Sequence, residues 1–159
     1  MKIALGSDHR GVVATRALTA HLQKQGHQVV VLGDCSATSS DYPDSAYAVG
    51  RAVSGRQADV GILACSNGVG MSIAANKVKG IRAVLAYDED HAIRSRQHNN
   101  ANVLCLGSET SSQEELNRIV DIWLKTDFEG GRHERRVNKI MAIERGEDPK
   151  SLKDGSTKG

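Results

Sequence analysis

Five short apolar runs divide the chain, and each one ends in glycine or in polar residues. They cover residues 2–6, 29–32, 60–64, 80–86 and 103–107. Short runs of Val, Ile, Leu and Ala that are bounded by turn residues are typical of buried strands. The pattern therefore predicts five strands.

Apolar residues at helical spacing fill the segments between these strands. Ala14, Leu18 and Leu22 recur every four residues, and Gly26 ends that segment. Pro43 lies in a polar loop before the second helix, where it favours an extended or turn backbone. Further helices are predicted over residues 45–54, 70–77, 88–97, 112–125 and 133–145.

Strands that alternate with helices, and that read as continuous apolar runs, predict an α/β fold with a parallel sheet covered on both faces. The pattern indicates one domain over residues 1–146. The tail over residues 147–159 contains Pro, Gly, Ser and Lys but almost no apolar residue. Such a segment cannot bury apolar surface, so we predict that it is disordered.

Composition and charge narrow the class of protein. The 159 residues carry a formal net charge of +2, which argues against a nucleic-acid surface and against a polybasic membrane anchor. No apolar run approaches the roughly 20 residues that span a bilayer, and no signal-peptide pattern opens the sequence. Cys35, Cys65 and Cys105 show no CxxC spacing, so a reducing cytoplasmic location is expected.

Ligands of open α/β sheets bind outside the carboxyl ends of the strands. Polar or glycine-rich segments follow three of the predicted strands, over residues 6–9, 65–70 and 107–109. In the second of these, the loop Ser66, Asn67, Gly68, Val69 and Gly70 leads into a helix and can present its backbone N–H groups to an anion. The alternative is that its glycines only reverse the chain. The loop matches neither a Walker motif nor GxGxxG, so no dinucleotide site is predicted.

Cys65 stands where the third strand meets this loop. A free cysteine is most often a small buried apolar residue, and this interpretation suits Cys105 inside its strand. For Cys65, neighbouring N–H groups would favour a thiolate, which can act as a base or as a nucleophile. The residues alone leave both roles open.

Two histidines and two arginines complete the set of candidates. His9 and His98 are placed by the pattern where loops gather over a sheet edge. Arg132 and Arg136 share a helical stripe whose far end is apolar and predicted to be packed. Paired guanidinium groups suit phosphate, whereas the alternative is an ordinary amphipathic helix with a basic rim.

Six motifs resemble type B ribose-5-phosphate isomerases, a superfamily that includes galactose-6-phosphate isomerase subunits. They are GSDHRG at residues 6–11, DYPD at 41–44, GILAC at 61–65, GVGMSIAANK at 68–77, RQHNNANVL at 96–104 and EGGRH at 129–133. The resemblance extends from residue 3 to about residue 145. It implies a Rossmann-like three-layer sandwich with a five-stranded parallel sheet. It also implies a homodimer, in some members a tetramer, in which the C-terminal helix packs on the partner and the active sites lie at the interface.

The resemblance implies an interconversion of aldose and ketose phosphates through a cis-enediol(ate), with no metal and no cofactor. Cys65 then corresponds to the base that moves a proton between C1 and C2. His98 corresponds to the acid that opens the furanose ring. Asp8 and Tyr42 would lie near the sugar hydroxyls.

The same comparison implies which groups hold the negative charges. Asn99 and the N–H groups of residues 66–70 would hold the enediolate oxygen. His9, Arg132 and Arg136 would hold the phosphate, partly across the dimer. The expected substrate is ribose 5-phosphate. The alternatives are another pentose or hexose phosphate, such as allose or galactose 6-phosphate, or a catalytically silent protein that only binds sugar phosphates.

Three positions depart from the family pattern. Where the family has Gly-Thr-Gly after the cysteine, this chain has Ser66, Asn67 and Gly68. Where members often have arginine after the fifth strand, it has Glu109. A carboxylate there would repel a phosphate unless it points into solvent or pairs with a cation. Of these alternatives, we predict that Glu109 pairs with Arg10, which replaces a small residue of the family.

Overall fold

Five parallel strands form one sheet in the computed structural model, which describes residues 1–34 and 38–152. The strands are β1 (Lys2–Ser7), β2 (Gln28–Val31), β3 (Val60–Cys65), β4 (Ala83–Leu85) and β5 (Val103–Gly107). Their order across the sheet is β2-β1-β3-β5-β4, and every neighbouring pair is parallel. The predicted α/β class and the five-stranded parallel sheet are therefore confirmed.

Helices cover both faces of this sheet. They are α1 (Val12–Lys24), α2 (Tyr42–Ser54), α3 (Val69–Ala75), α4 (Glu89–Asn99), α5 (Gln113–Lys125) and α6 (Arg132–Glu144). One core cluster joins the sheet to α1, α4 and α5, and the other joins it to α2 and α3. Helix α6 packs against α4. The result is the expected three-layer sandwich.

The central strands explain why the apolar runs are continuous. Every residue of β3 and β5 is buried, because both faces of these strands are covered. Successive side chains enter opposite cores: Leu104 and Leu106 face α1 and α5, whereas Val103 and Cys105 face α2 and α3. Cys65 belongs to the second core, so its sulfur lies on the α2–α3 side of the sheet.

Two elements begin three residues away from their predicted start. Helix α2 begins at Tyr42 rather than at residue 45, with Pro43 in its first turn. Proline is accommodated there because the first N–H groups of a helix have no intrahelical partner. The fourth strand is confined to Ala83–Leu85, shorter than the apolar run over residues 80–86.

The structure describes part of the tail for which disorder was predicted. The Asp148 side chain accepts a hydrogen bond from the Lys150 amide and caps a short 3-10 helix, Pro149–Ser151, next to α6. Residues 153–159 lie outside the described residues, as does Cys35. Within the described ranges, no helix has the length and apolar content needed to cross a membrane.

Gly11 allows α1 to begin directly over the end of β3. A Cβ at this position would lie 2.7 Å from the carbonyl carbon of Ala64 and 2.8 Å from the Cβ of Ser7. We therefore expect Gly11→Ala to lower the free energy of unfolding by about 1–3 kcal/mol, the usual cost of overpacking. Urea unfolding followed by circular dichroism measures this change, and an unchanged midpoint would contradict the close packing.

Candidate active site

Cys65 is the last residue of β3 and is 5% exposed. The N–H of Gly68 donates a hydrogen bond to its sulfur at 3.2 Å. Gly68 has a φ of +77°, a conformation that glycine adopts readily, and it turns the chain back over the sulfur before α3 begins. A backbone donor therefore holds the sulfur at the carboxyl edge of the sheet.

The loop after Cys65 partly satisfies its own N–H groups. Gly68 donates to the Cys65 sulfur, and the Val69 N–H donates to Oδ1 of Asn67 at 3.1 Å. The side chain of Asn67, at the position where the family has threonine, thus accepts a hydrogen bond from the backbone of its own loop. The ring of Tyr42 lies against Gly70, where a Cβ would be 2.6 Å from the ring carbon Cζ.

Asp8 and His9 border the same edge at the end of β1. Asp8 is 6% exposed, and its Oδ1 accepts hydrogen bonds from the N–H groups of Arg10 and Gly11, at 3.0 and 3.1 Å. The Ser40 N–H lies 3.3 Å from Nδ1 of His9. The backbone that follows β1 is therefore held by hydrogen bonds to Asp8, and His9 is held next to residue 40.

The predicted pair of Arg10 and Glu109 is confirmed. Arg10 Nη1 donates to Oε1 of Glu109 at 2.7 Å. This contact, followed by a hydrogen bond from the Ser66 side chain, lowers the pKa of Glu109. We call the group around this edge the cysteine half-site: Asp8, His9, Arg10, Tyr42, Cys65, residues 66–70 and Glu109.

A second group of candidates surrounds the end of α4. The rings of His98 and His133 stack with centroids 4.2 Å apart and planes 2° from parallel. Arg132 Nε donates to Nε2 of His133 at 3.3 Å. Burial, followed by the neighbouring His98 and Arg132, lowers the pKa of His133. We call His98, Asn99, Arg132, His133 and Arg136 the histidine half-site.

Two arginines fix the backbone that carries His98 and Asn99. Arg82 Nε donates to the Asn99 carbonyl at 3.0 Å, and its Nη2 donates to the Asn100 carbonyl at 2.7 Å. Arg96 Nη1 donates to the Ala101 carbonyl at 2.6 Å. The bonds from Arg82 satisfy carbonyl groups at the C-terminus of α4, which have no intrahelical partner, and the bond from Arg96 holds the residue that follows.

The histidine half-site and the adjacent Glu129 offer three potential metal ligands. Atoms of His98, Glu129 and His133 lie within 4.8 Å of one another. However, the in-plane lone pairs of two parallel stacked rings do not converge on one point. Arg132 and Arg136 also act electrostatically on His133, and their positive charge disfavours a cation. This set of donors suits an anion better than a metal ion.

Within one chain, the two half-sites lie at opposite ends of the strands. The cysteine half-site lies at their carboxyl ends and the histidine half-site at their amino ends. Helix α4 starts after β4 and returns to the amino edge, where the Asn102 carbonyl accepts a bond from the Gly61 N–H at 2.9 Å. Cys65 is four residues further along β3, about 13 Å away at roughly 3.3 Å per residue. His9 and His98, both predicted to lie over a sheet edge, are thus found at opposite ends of the strands within one chain.

Sequence reasoning missed His133, a member of the histidine half-site, and Glu129 beside it. His133 and Glu129 both lie in the EGGRH motif, but neither was assigned a role. His133 is 5% exposed, and its Nε2 lies 3.5 Å from Oε2 of Glu129. The signal that could have found His133 was its place next to Arg132 at the start of a helix. The sequence pattern alone did not show that this histidine contacts His98.

Cys105 does not compete with Cys65 for a chemical role. It is fully buried inside β5, and this burial raises the pKa of its thiol, with a smaller contribution from the nearby Cys65. A thiol of this kind is a poor base and a poor nucleophile at neutral pH. The interpretation of Cys105 as a small core residue is confirmed.

The fold and the comparisons with known proteins define an aldose–ketose isomerase that acts on sugar phosphates. The chain belongs to the Ribose/Galactose Isomerase family, whose sequence model matches residues 3–140. Ribose-5-phosphate isomerase B of Escherichia coli (strain K12) is 48% identical over 143 residues, which are 90% of this chain and 96% of that protein.

Solved structures agree with this assignment. Ribose-5-phosphate isomerase B of Clostridium thermocellum superposes with a TM-score of 0.91 at 45% identity. The superposition covers 92% of this chain and 99% of the Clostridium thermocellum chain. The Mycoplasma genitalium enzyme with bound ribulose-5-phosphate superposes with a TM-score of 0.86 at 44% identity, covering 91% of this chain and 96% of that one.

Proposed function

We propose that this protein interconverts ribose 5-phosphate and ribulose 5-phosphate, with Cys65 as the base. The observation that carries the proposal is the sulfur of Cys65, held at a strand end by the Gly68 N–H, with the ring of Tyr42 against Gly70 of the same loop. Support comes from the bound ribulose-5-phosphate of the Mycoplasma genitalium relative. The reaction moves protons within one substrate, so it needs no external oxidant or reductant.

A second copy of the chain completes the site in this proposal. One chain cannot bring His98 to Cys65, because the sheet separates its two half-sites. Helix α6 carries the exposed residues Ile140 and Ile143, and α3 carries the exposed residues Val69 and Ile73. Such apolar surface beside both half-sites favours their burial between two copies, with the cysteine half-site of one facing the histidine half-site of the other.

The packing within a single chain does not explain why the apolar end of α6 is exposed. The sequence pattern predicts it to be packed, yet Ile140 is 42% and Ile143 is 61% exposed. We propose that it packs on the partner. A homodimer satisfies this arrangement, and a tetramer of two such dimers is equally compatible with it. A cytoplasmic location stays a prediction that rests on the cysteine content.

The proposed reaction begins with ring opening by His98 of the second copy. The Cys65 thiolate then takes the proton from C2, and the electron pair forms the C1–C2 double bond of the enediolate while negative charge moves to the C1 oxygen. Asn99 and loop N–H groups stabilise this oxygen, as donors aimed at a developing charge do. Transfer of the hydroxyl proton from O2 to O1 and return of the proton from sulfur to C1 give the ketose.

Arg132 and Arg136 hold the phosphate in this proposal. Neither forms an ion pair with a carboxylate among residues 1–34 and 38–152, so their charge remains for a ligand. A hydrogen bond to a charged group contributes about 1.5–3 kcal/mol. We therefore expect Arg132→Ala or Arg136→Ala to raise KM for ribose 5-phosphate about ten- to a hundredfold. Steady-state kinetics measures this, and an equal loss toward unphosphorylated ribose would instead indicate a structural role.

The experiment that tests the proposed function is a panel of aldose and ketose phosphates in heavy water. Ribose 5-phosphate should give the highest kcat/KM, and deuterium from the solvent should enter C1 of ribulose 5-phosphate. A higher kcat/KM for allose or galactose 6-phosphate would overturn the choice of substrate. Binding without deuterium exchange would instead support a silent protein that binds sugar phosphates.

A further inference from the structure

The ion pair between Arg10 and Glu109 joins segments that are 99 residues apart in sequence. It lies at the rim of the cysteine half-site, and the side chains of Arg10 and Glu109 are 55% and 47% exposed. Exposed ion pairs contribute little to stability, with a typical range of roughly 0–1 kcal/mol. A contribution of that size does not explain why this pair stands beside the active site.

Hydrogen bonds fix the backbone on both sides of the pair. The N–H of Arg10 donates to Asp8, and its carbonyl accepts from the Ser108 hydroxyl at 3.1 Å. The N–H of Glu109 donates to the Ser66 carbonyl at 3.0 Å, and the Ser108 N–H donates to the Cys65 carbonyl at 2.8 Å. The turn after β5 is thus attached to the same residues that surround the sulfur.

Within the cysteine half-site, only His9 and Arg10 can carry a positive charge, whereas Asp8 and Glu109 are acids. A phosphate that enters this half-site therefore has to lie toward His9 and Arg10 and away from Asp8. The pair with Glu109 uses one of the five N–H donors of the Arg10 guanidinium. The remaining donors are sufficient for two hydrogen bonds to a phosphate.

On the basis of the proposed function, we propose that Arg10 binds the substrate phosphate and that Glu109 is the positioning residue that aims its guanidinium. Arg10 then supplies the phosphate contact from the cysteine half-site, opposite Arg132 and Arg136 of the second copy. A flexible arginine side chain loses rotamer freedom when it binds, and a fixed carboxylate partner reduces that cost before the ligand arrives.

Glu109 is well placed to be this partner. Its N–H donates to the Ser66 carbonyl at 3.0 Å, so the backbone that carries the carboxylate is held beside the loop after Cys65. The contact with Arg10, followed by the Ser66 side chain, lowers the pKa of Glu109, and the carboxylate is ionised at neutral pH. An ionised carboxylate on a fixed backbone is therefore in place to hold Arg10.

The test of Arg10 compares KM for ribose 5-phosphate in Arg10→Met, Arg10→Lys and the parent. We expect Arg10→Met to raise KM about ten- to a hundredfold, the range for loss of a charge-assisted hydrogen bond, with a smaller change for Arg10→Lys. The double variant Arg10→Met with Glu109→Gln should stay at least about fivefold above the parent. Its return to parental KM would show that the pair only balances charge and would overturn the phosphate contact.

The test of Glu109 depends on the sign of the change. Removal of a negative charge near a phosphate by itself lowers KM, whereas loss of a partner that aims Arg10 raises it. We expect Glu109→Ala to raise KM about three- to tenfold, and Glu109→Gln to rescue part of this, because its amide oxygen still accepts from Arg10. A KM equal to or below the parental value in Glu109→Ala would overturn the positioning role.

The matched control is the ion pair of Arg118 and Glu89 at 3.1 Å, which has similar exposure and lies outside both half-sites. Arg118→Met should leave KM unchanged. Turnover by the parent is measured first, and its absence would overturn the proposed function itself. Parental turnover combined with a KM within threefold of the parent in Arg10→Met would overturn only the role of Arg10.

Discussion

Cys65→Ala should abolish isomerisation while the fold and the binding of ribose 5-phosphate remain. The proposed reaction has one group that removes the C2 proton, and loss of a general base typically lowers the rate about 10²- to 10⁴-fold. The substitution removes one buried sulfur and leaves the Gly68 N–H without its acceptor, a small change in the core. Turnover is measured by ketose formation, and calorimetry measures retained binding.

Two further variants make this prediction specific. Cys65→Ser should be nearly as inactive as Cys65→Ala, because a hydroxyl is a far weaker base than a thiol near neutral pH. Cys105→Ala is the matched control. Cys105 lies on the neighbouring strand β5, two positions before the residue that pairs with Cys65. The variant also removes a buried sulfur, and it should keep most of the turnover. More than about a tenth of parental turnover in Cys65→Ala would exclude Cys65 as the base.

Mixing two inactive variants should restore activity. In Cys65→Ala only the cysteine half-sites are damaged, and in His98→Ala only the histidine half-sites. If each site takes one half-site from each chain, a mixed dimer contains one intact site and one site with both lesions. Equal mixing makes about half of the dimers mixed, so we expect roughly one quarter of parental activity to return.

The control mixes Cys65→Ala with Cys65→Ser, which places a lesion in every site and should restore nothing. Both experiments require subunits that exchange, which a pull-down through two different tags establishes before activity is measured. A mixture of the Cys65 and His98 variants that forms tagged mixed dimers but stays inactive would contradict the shared site. Restored activity in a monomeric fraction would contradict it equally.

The positions of the elements, and of the cysteine, were predictable from local sequence. Buried strands show themselves by short apolar runs, because two covered faces exclude polar side chains over their whole length. Cys65 follows one of these runs directly, so its place at a sheet edge needed no knowledge of distant contacts. The error at Pro43 also had a local cause, because proline is accepted both in a loop turn and in the first turn of a helix.

The pair of Arg10 and Glu109 was only partly predictable from the sequence. Its members were predicted to meet because a resemblance placed both near one phosphate and because their charges are opposite. The structure adds the distance of 2.7 Å, the bond from the Glu109 N–H to the Ser66 carbonyl and the attachment through Ser108. Opposite charge indicates that two residues are compatible, but only the backbone hydrogen bonds show that they are held together.

The sequence by itself determined the α/β class, the strand that ends in Cys65 and the glycine loop that follows, since each depends on neighbours a few residues away. Only the tertiary structure decided that His98 stacks on His133 and lies at the opposite sheet edge from Cys65. The physical reason is that a helix returning across a parallel sheet carries its last residues to the amino edge. That direction, set by packing between strands far apart in sequence, places the two half-sites at opposite ends of the strands in one chain.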